Sequence, residues 1–294
     1  MGTIYHKGFK KSYQIDDEIE AENGSYEITD KLGEGGNGVV YGCIGMDGTE
    51  YAVKFLLNFS EKSKLRFDQE IDLMQHINHP HIVRYIDNGE ANLYDSRQNK
   101  SVTAPFLIME KADTNLLEKI KNNEPIHYSI YAPQFRGLCE ALSELHKFAI
   151  HRDIKPENIL IKGEKWLISD FGLCEYLSEE DHNDITNLNE KIGPIYWMSP
   201  EAVNKVYFGA DTIGPYSDVF QLCEVFLFFL TRSYPGGMLQ ENARIDTTPA
   251  IKSLLLRSIA NDMTVRPQNG KDLLEQFNSA TLGIALQEEN LVPA

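Results

Sequence analysis

The sequence predicts an α+β fold with two lobes, a small lobe of antiparallel β-sheet plus one helix and a larger α-helical lobe. Short β-rich runs separated by glycine turns fill the chain as far as residue 110. Beyond Lys111, apolar side chains recur at helical spacing instead. We interpret the change at 110–113 as a hinge, and a cleft between two such lobes is a usual place for a cofactor.

The chain divides into successive stretches. Residues 1–25 are polar and charged, and we predict an N-terminal extension outside the core. Residues 26–110 form the predicted small lobe, and apolar spacing over 65–77 predicts its one helix. Residues 111–280 form the predicted large lobe, and 281–294 form a C-terminal tail. The predicted helices of the large lobe span 115–121, 128–148, 217–230, 248–260 and 271–277.

Strand signals in the small lobe lie at 26–28, 39–41 and 51–55, with a glycine turn between successive runs. Residues 91–104 are polar without a strong pattern and predict a loop or an extended hairpin.

Composition excludes several classes of function. The 294 residues include 28 basic and 44 acidic side chains, a net charge of −16, which argues against nucleic acid as a partner. The longest apolar run, 225–230, is too short to cross a bilayer, so no membrane partner is expected. The four cysteines are far apart and form no Cys-x-x-Cys pair, which favours a reduced, cytoplasmic setting.

A glycine-rich turn follows the first strand of the small lobe. Residues 33–40 read Gly-Glu-Gly-Gly-Asn-Gly-Val-Val, which fits the pattern G-x-G-x-x-G-x-V. Glycines let backbone N–H groups approach a phosphate without a Cβ in the way. A dinucleotide-binding turn would open a helix, whereas residues 39–41 continue as a strand.

Two runs in the large lobe carry chemistry. Residues 151–158 read His-Arg-Asp-Ile-Lys-Pro-Glu-Asn, and residues 170–172 read Asp-Phe-Gly. Together they supply a proton-accepting acid, a cation, an amide and a second acid. Such a set suits phosphoryl transfer, in which the protein positions oxygens and neutralises charge.

In order and spacing these runs resemble the catalytic and metal-binding loops of eukaryotic-type protein kinases. The resemblance implies ATP and Mg²⁺ as cofactors and a protein as substrate. It implies that Asp153 accepts the proton of the attacking hydroxyl and that Lys155 steadies the γ-phosphate. It also implies that Asn158 and Asp170 bind Mg²⁺.

The resemblance extends to the small lobe. It implies that Lys54 holds the α- and β-phosphates and that Glu70, on the following helix, pairs with Lys54. The residues implied to contact the nucleotide are Gly33, Gly35, Gly38, Val40, Ala52, Lys54, Met109, Glu110, Ala112 and Leu160.

Later motifs also match the family. Residues 199–201 read Ser-Pro-Glu and resemble the end of a kinase activation segment. The resemblance implies a buried ion pair between Glu201 and Arg266, and it implies that Asp218 braces the catalytic loop through backbone amides.

The type of acceptor hydroxyl is ambiguous. Lys155-Pro156-Glu157 resembles the catalytic loop of serine/threonine kinases. Residues 194–198, Pro-Ile-Tyr-Trp-Met, instead resemble the substrate loop of tyrosine kinases, and serine/threonine kinases usually carry threonine in place of Pro194. We expect Ser or Thr as acceptor, with a tyrosine or dual-specificity kinase as the alternative.

Regulation and competing functions stay open at this point. We hypothesise autophosphorylation through self-association, because the loop and the tail contain several hydroxyls. We also hypothesise that Glu190 pairs with Arg152 in place of a phosphate. The other classes considered are a pseudokinase that binds without transfer and a small-molecule kinase of the aminoglycoside type.

Overall fold

A computed structural model describes residues 2–122, 127–177, 195–209, 211–234, 245 and 247–289. The chain forms two compact units, one of Met1–Asn78 with Val83–Ala112 and one of His79–Ile82 with Asp113–Ala294.

The first unit is an antiparallel sheet with one helix. The eight strands are β1 (Gly2–His6), β2 (Lys11–Ile15), β3 (Glu18–Glu20), β4 (Ser25–Glu34), β5 (Gly38–Gly45), β6 (Glu50–Leu56), β7 (Tyr85–Asp95) and β8 (Lys100–Glu110). Their order across the sheet is β1-β2-β7-β8-β6-β5-β4-β3. Helix α1 spans Glu61–His76 and begins at Ser60, whose side chain accepts the Ser63 N–H. Residues 91–104, predicted as a loop or a hairpin, are the paired ends of β7 and β8.

Residues 2–25 do not lie outside the core, so the prediction of an N-terminal extension there is wrong. They form β1 to β3 and pair into the sheet. Ile4, Tyr13, Ile15 and Ile19 are buried in the same core as Tyr41. Exposed residues alternate with these buried ones, Tyr5 and Gln14 in β1 and β2 and two glutamates in β3, so the polar composition masked a two-residue period.

A buried carboxylate fastens this segment to the rest of the sheet. Asp87 on β7 is fully buried and accepts hydrogen bonds from the backbone N–H and side-chain amide of Asn23, at 3.0 Å each. It also accepts one from the Tyr26 hydroxyl at 3.1 Å, and burial together with this carboxylate raises the pKa of Tyr26. Losing any of these hydrogen bonds would destabilise the fold, because the buried Asp87 carboxylate would lose a partner.

The second unit is mostly helical. Its helices are α2 (Leu116–Lys121), α3 (Tyr128–Leu145), α4 (Pro200–Phe208), α5 (Pro215–Thr231), α6 (Pro249–Ser258) and α7 (Gly270–Glu289). Its short strands are β9 (Thr114–Asn115), β10 (Ala149–Ile150), β11 (Ile159–Lys162), β12 (Lys165–Ile168) and β13 (Glu175–Tyr176). The core between α3, α5 and α7 is aromatic, with Phe135 stacked on Phe226 at 3.5 Å and edge-on to Phe277 at 5.0 Å between ring centroids.

All the predicted helices are present, one further helix was not predicted, and one helix is longer than predicted. Helix α4 was not predicted; Ser199 caps it and Pro200 occupies its first turn. Helix α7 continues to Glu289, so the predicted tail of 281–294 begins as helix. The segment 284–289 consists mostly of good helix formers, and no proline interrupts it.

Glu224 on α5 makes stability depend on pH. Burial raises the pKa of Glu224 to about 8, against the opposing charge of Arg266. Because the unfolded pKa is lower, the folded state binds more protons, and stability is lost as pH rises towards about 8. We expect Glu224→Gln, which stays neutral, to stabilise the protein at pH 8.5 by about 1–3 kcal/mol and to change little at pH 5.

Urea unfolding of both proteins at both pH values measures this effect. The exposed Glu164→Gln is the control and should shift neither curve. An equal effect of Glu224→Gln at pH 5 and pH 8.5 would show that the carboxyl does not titrate in this range.

Candidate active site

Strand β6 and helix α1 bring Lys54 and Glu70 together. Lys54 Nζ lies 2.7 Å from Oε1 and 2.9 Å from Oε2 of Glu70. The Glu70 side chain is 4% exposed and that of Lys54 is 19% exposed, so part of the lysine side chain remains accessible while the glutamate is buried. Charge-assisted contacts of this kind hold a side chain in one geometry.

The predicted nucleotide contacts on the sheet share one face. Val40 is opposite Lys54 across β5 and β6, and Ala52 is opposite Met109 across β6 and β8. Directly paired residues, and residues two apart on one strand, point to the same side of a sheet. Val40, Ala52, Lys54 and Met109 therefore form one surface.

The predicted nucleotide contacts Glu110, Ala112 and Leu160 lie on other parts of the chain. Glu110 ends β8, and its carboxylate accepts the Arg84 N–H at 2.8 Å. Ala112 is the last residue of the first unit, and Leu160 lies on β11 in the second unit.

The glycine-rich turn joins β4 to β5. The Gly35 N–H donates to the Gly38 carbonyl at 2.9 Å. A Cβ at Gly38 would lie 2.0 Å from the Phe55 carbonyl oxygen, so no other residue fits there. A Cβ at Gly33 or Gly35 would meet nothing within 4 Å, which leaves room beside the turn for a ligand.

Helix α5 braces the predicted catalytic loop, residues 151–158, in the second unit. The fully buried Asp218 accepts the His151 N–H at 2.6 Å and the Arg152 N–H at 2.8 Å, as the resemblance implied. His146 contributes a further contact, since its Nε2 lies 2.9 Å from Asp218 and its Nδ1 accepts the Gly270 N–H. The His146 imidazole thus links the Asp218 carboxylate to Gly270, the first residue of α7.

The two carboxylate oxygens of Asp153 differ in their hydrogen bonding. Its Oδ2 accepts hydrogen bonds from Lys155 Nζ at 2.7 Å and from Asn158 Nδ2 at 2.9 Å. Its buried Oδ1 has no hydrogen-bond partner within the described part of the chain. Burial raises the pKa of Asp153, the Lys155 charge opposes that rise, and Asp170 adds to it. A buried, unsatisfied acceptor with a raised pKa suits proton abstraction.

Asn158 and Asp170 supply oxygens that fit Mg²⁺. The Asn158 amide nitrogen is turned to Asp153, where it also donates to the main-chain carbonyl at 2.9 Å, so the amide oxygen is the atom that can bind a cation. Asp170 is exposed and adds a carboxylate. Mg²⁺ prefers such hard ligands and commonly takes only one or two from the protein and others from substrate phosphates.

Arg152 and Asp170 adopt left-handed φ values of 68° and 64°, a backbone conformation that residues with side chains rarely hold. Four other described residues share it, namely Lys10, Asn99, Asp211 and Arg232, so this conformation does not by itself mark the site.

The predicted pair of Glu201 and Arg266 forms a two-point contact in the second unit. Arg266 Nη1 and Nη2 lie 2.9 and 3.0 Å from the two carboxylate oxygens, and the Ser217 hydroxyl donates to Glu201 at 2.6 Å. Burial would raise the pKa of Glu201, but the hydrogen bonds from Arg266 and Ser217 outweigh it and lower the pKa. The carboxylate is therefore charged in the folded protein.

Arg152 forms an ion pair with Glu175 on β13, a partner that the sequence did not predict. Glu190, the hypothesised partner, lies outside the described residues, as does Pro194.

Nor did the sequence predict a role for Gln221, which lies one turn beyond Asp218 on α5. Its side-chain oxygen accepts the Ile154 N–H at 3.1 Å. A polar residue three positions from Asp218 on a mostly apolar helix was the available signal.

The protein kinase domain model matches residues 26–280. The chain belongs to this family. The predicted family and the two-lobed α+β fold class are thereby confirmed.

Several curated proteins are similar to this kinase domain. Serine/threonine-protein kinase cds1 of Schizosaccharomyces pombe is 32% identical over 231 residues, 74% of this chain. U-box domain-containing protein 34 and proline-rich receptor-like protein kinase PERK8, both of Arabidopsis thaliana, are each 25% identical, over 95% and 90% of this chain. The matches cover 47%, 33% and 38% of those three proteins respectively.

Within the described residues, no helix is both long enough and apolar enough to span a membrane.

Proposed function

We propose that this chain transfers the γ-phosphoryl group of ATP to a Ser or Thr hydroxyl of a protein substrate. The observation that carries the proposal is the asymmetry of the Asp153 carboxylate. One oxygen is held by Lys155 and Asn158, while the other is a buried acceptor without a partner in the described chain. A donor hydroxyl would satisfy this oxygen.

Each group has a role in this reaction. Asp153 orients the acceptor hydroxyl and takes its proton. Lys155 balances charge on the transferred group, and Lys54, fixed by Glu70, holds the other phosphates. When bound, Mg²⁺ neutralises phosphate charge, and Asn158 and Asp170 would hold it.

Two lines support Ser or Thr as the acceptor. Residues 155–157 have the serine/threonine type of sequence, and one relative is named as a serine/threonine kinase. Tyrosine or dual specificity remains the alternative because of Pro194. A pseudokinase is disfavoured because Lys54, Glu70, Asp153, Asn158 and Asp170 are all present.

The proposal extends to the setting of the reaction. We place the enzyme in the cytoplasm, with a protein substrate and neither nucleic acid nor membrane as a partner. Self-association would permit autophosphorylation, with Tyr176, Ser178 and Thr186 as candidate acceptors. Of these, Tyr176 lies on β13, and the other two fall outside the described residues.

Phosphoamino-acid analysis tests the proposal. Incubation with radiolabelled Mg·ATP and a mixture of generic protein substrates is expected to yield phosphoserine or phosphothreonine. The Asp170→Ala variant should give only background labelling, because a Mg²⁺ ligand is lost. Phosphotyrosine alone would contradict the acceptor type, and labelling equal to that of Asp170→Ala would contradict transfer itself.

A further inference from the structure

Three consecutive residues of the hairpin formed by β1 and β2 contact the end of β4 and the glycine-rich turn that follows it. The Tyr5 carbonyl accepts a hydrogen bond from Lys31 Nζ at 2.9 Å. The next residue, His6, places Nε2 2.8 Å from the Gly35 carbonyl oxygen. The Lys7 N–H then donates to the Glu34 carboxylate at 3.2 Å. The hairpin is therefore a partner of the turn itself as well as of the sheet core.

The His6 imidazole is built into this position. It is 3% exposed and stacks on Phe9 with 4.2 Å between ring centroids. Nδ1 accepts the Phe9 N–H at 3.0 Å, and Nε2 must carry the proton, since the Gly35 carbonyl can only accept. Gly8 permits the arrangement, because a Cβ there would lie 3.0 Å from the ring. One imidazole thus joins the hairpin bend to the glycine-rich turn.

Holding the Gly35 carbonyl also fixes the next amide. The described chain contains no cis peptide bond, and in a trans peptide the C=O and N–H point in opposite directions. The Gly36 N–H therefore points away from His6. The hairpin packs on the sheet face of Tyr41, whereas Lys54 lies on the opposite face. The Gly36 N–H therefore points away from the face of the sheet that the hairpin covers.

The turn is fastened on its other side as well. The Asn37 carbonyl accepts the N–H groups of Leu57 and Asn58 at 2.9 and 3.0 Å. Gly36 therefore sits between two fixed peptide groups. Glycine loses more conformational freedom on ordering than any other residue, so fixing its neighbours in advance lowers the entropy cost of binding a phosphate.

We propose that His6 is a positioning residue for phosphate recognition and that the hairpin of residues 2–15 preorganises the glycine-rich turn for nucleotide binding. This inference rests on the proposed function, because it takes the ligand to be a nucleotide with phosphates.

Two substitutions at position 6 separate the contacts of the imidazole. His6→Gln keeps a donor near the place of Nε2 and can still bond the Gly35 carbonyl. His6→Asn keeps an acceptor near the place of Nδ1 for the Phe9 N–H but cannot reach Gly35. We expect His6→Asn to weaken Mg·ADP binding about 3- to 10-fold, and His6→Gln to remain near wild type.

Calorimetric titration of the full chain with Mg·ADP, and competition titration with adenosine, would measure these affinities. Adenosine has no phosphate, so its affinity should be the same in all three proteins. Equal Mg·ADP affinity in wild type and His6→Asn would overturn the inference and leave the proposed function standing. An equal loss for adenosine would also overturn it, because the defect would then be general. A wild-type chain that binds neither ligand would overturn the proposed function.

A measurement on the wild-type protein keeps the inference testable if His6→Asn does not fold. If the hairpin favours ADP binding, ADP must stabilise the hairpin to the same extent. Hydrogen exchange in residues 2–15 should therefore slow on addition of Mg·ADP, together with exchange in residues 33–40. Slowing in 33–40 alone would contradict the coupling.

Discussion

Replacing Asp153 with asparagine is expected to lower kcat about 10²- to 10⁴-fold while KM for ATP changes little. The asparagine oxygen can accept the hydrogen bonds that Lys155 and Asn158 now give to Oδ2. Its NH₂ group would then take the place of Oδ1, so a donor would face the substrate hydroxyl instead of an acceptor. The substitution removes the base and preserves the surrounding contacts.

Steady-state kinetics with a protein acceptor and thermal unfolding of both enzymes would check this result. Asp211→Asn is the matched control, because Asp211 is exposed and its left-handed backbone, with φ of 67°, accommodates asparagine. A kcat for Asp153→Asn within tenfold of wild type would rule out proton transfer to this carboxylate.

Replacing Arg266 with methionine is expected to destabilise the protein by about 3–5 kcal/mol. Methionine occupies much of the same volume but leaves the buried Glu201 carboxylate with the Ser217 hydroxyl as its remaining side-chain partner among the described residues. It also removes the contacts of the guanidinium with the Ala260 carbonyl and with the Phe220 ring, 4.8 Å away. Urea unfolding at pH 7 would measure the loss.

The control is an exposed ion pair of similar chemistry. Arg136 lies 3.0 Å from Glu140 on the surface of α3, and Arg136→Met should cost less than about 1 kcal/mol. The double variant Glu201→Gln, Arg266→Met should recover part of the loss, because no buried charge is then left unpaired. A loss for Arg266→Met no greater than that for Arg136→Met would show that Glu201 is solvated in the folded state.

Much of the site followed from order and spacing along the chain. Asp153, Lys155 and Asn158 lie within six residues, and a loop that short must bring them close together whatever surrounds it. The pair of Lys54 and Glu70 was predicted from the resemblance to protein kinases, because Glu70 lies on the helix that follows the Lys54 strand. The aromatic helices of the second unit were evident from their periodicity alone.

Other features depend on contacts that sequence does not express. The first 25 residues are too polar to resemble a core element, and only the sheet shows that every second side chain is covered. Glu175 and His146 are ordinary residues in isolation, and their importance comes from a partner distant in the chain. Composition describes a segment by itself, whereas burial depends on what packs against it.

The link from Asp218 through His146 to Gly270 has a genetic consequence. A Cβ at Gly270 would lie 2.4 Å from the Ser143 backbone nitrogen, so any side chain there would push the start of α7 away from the end of α3. That shift would disturb the imidazole and, through it, the carboxylate beneath His151 and Arg152. A screen for inactive alleles should therefore recover changes at Gly270, more than a hundred positions downstream of the reacting groups, alongside those at Asp153.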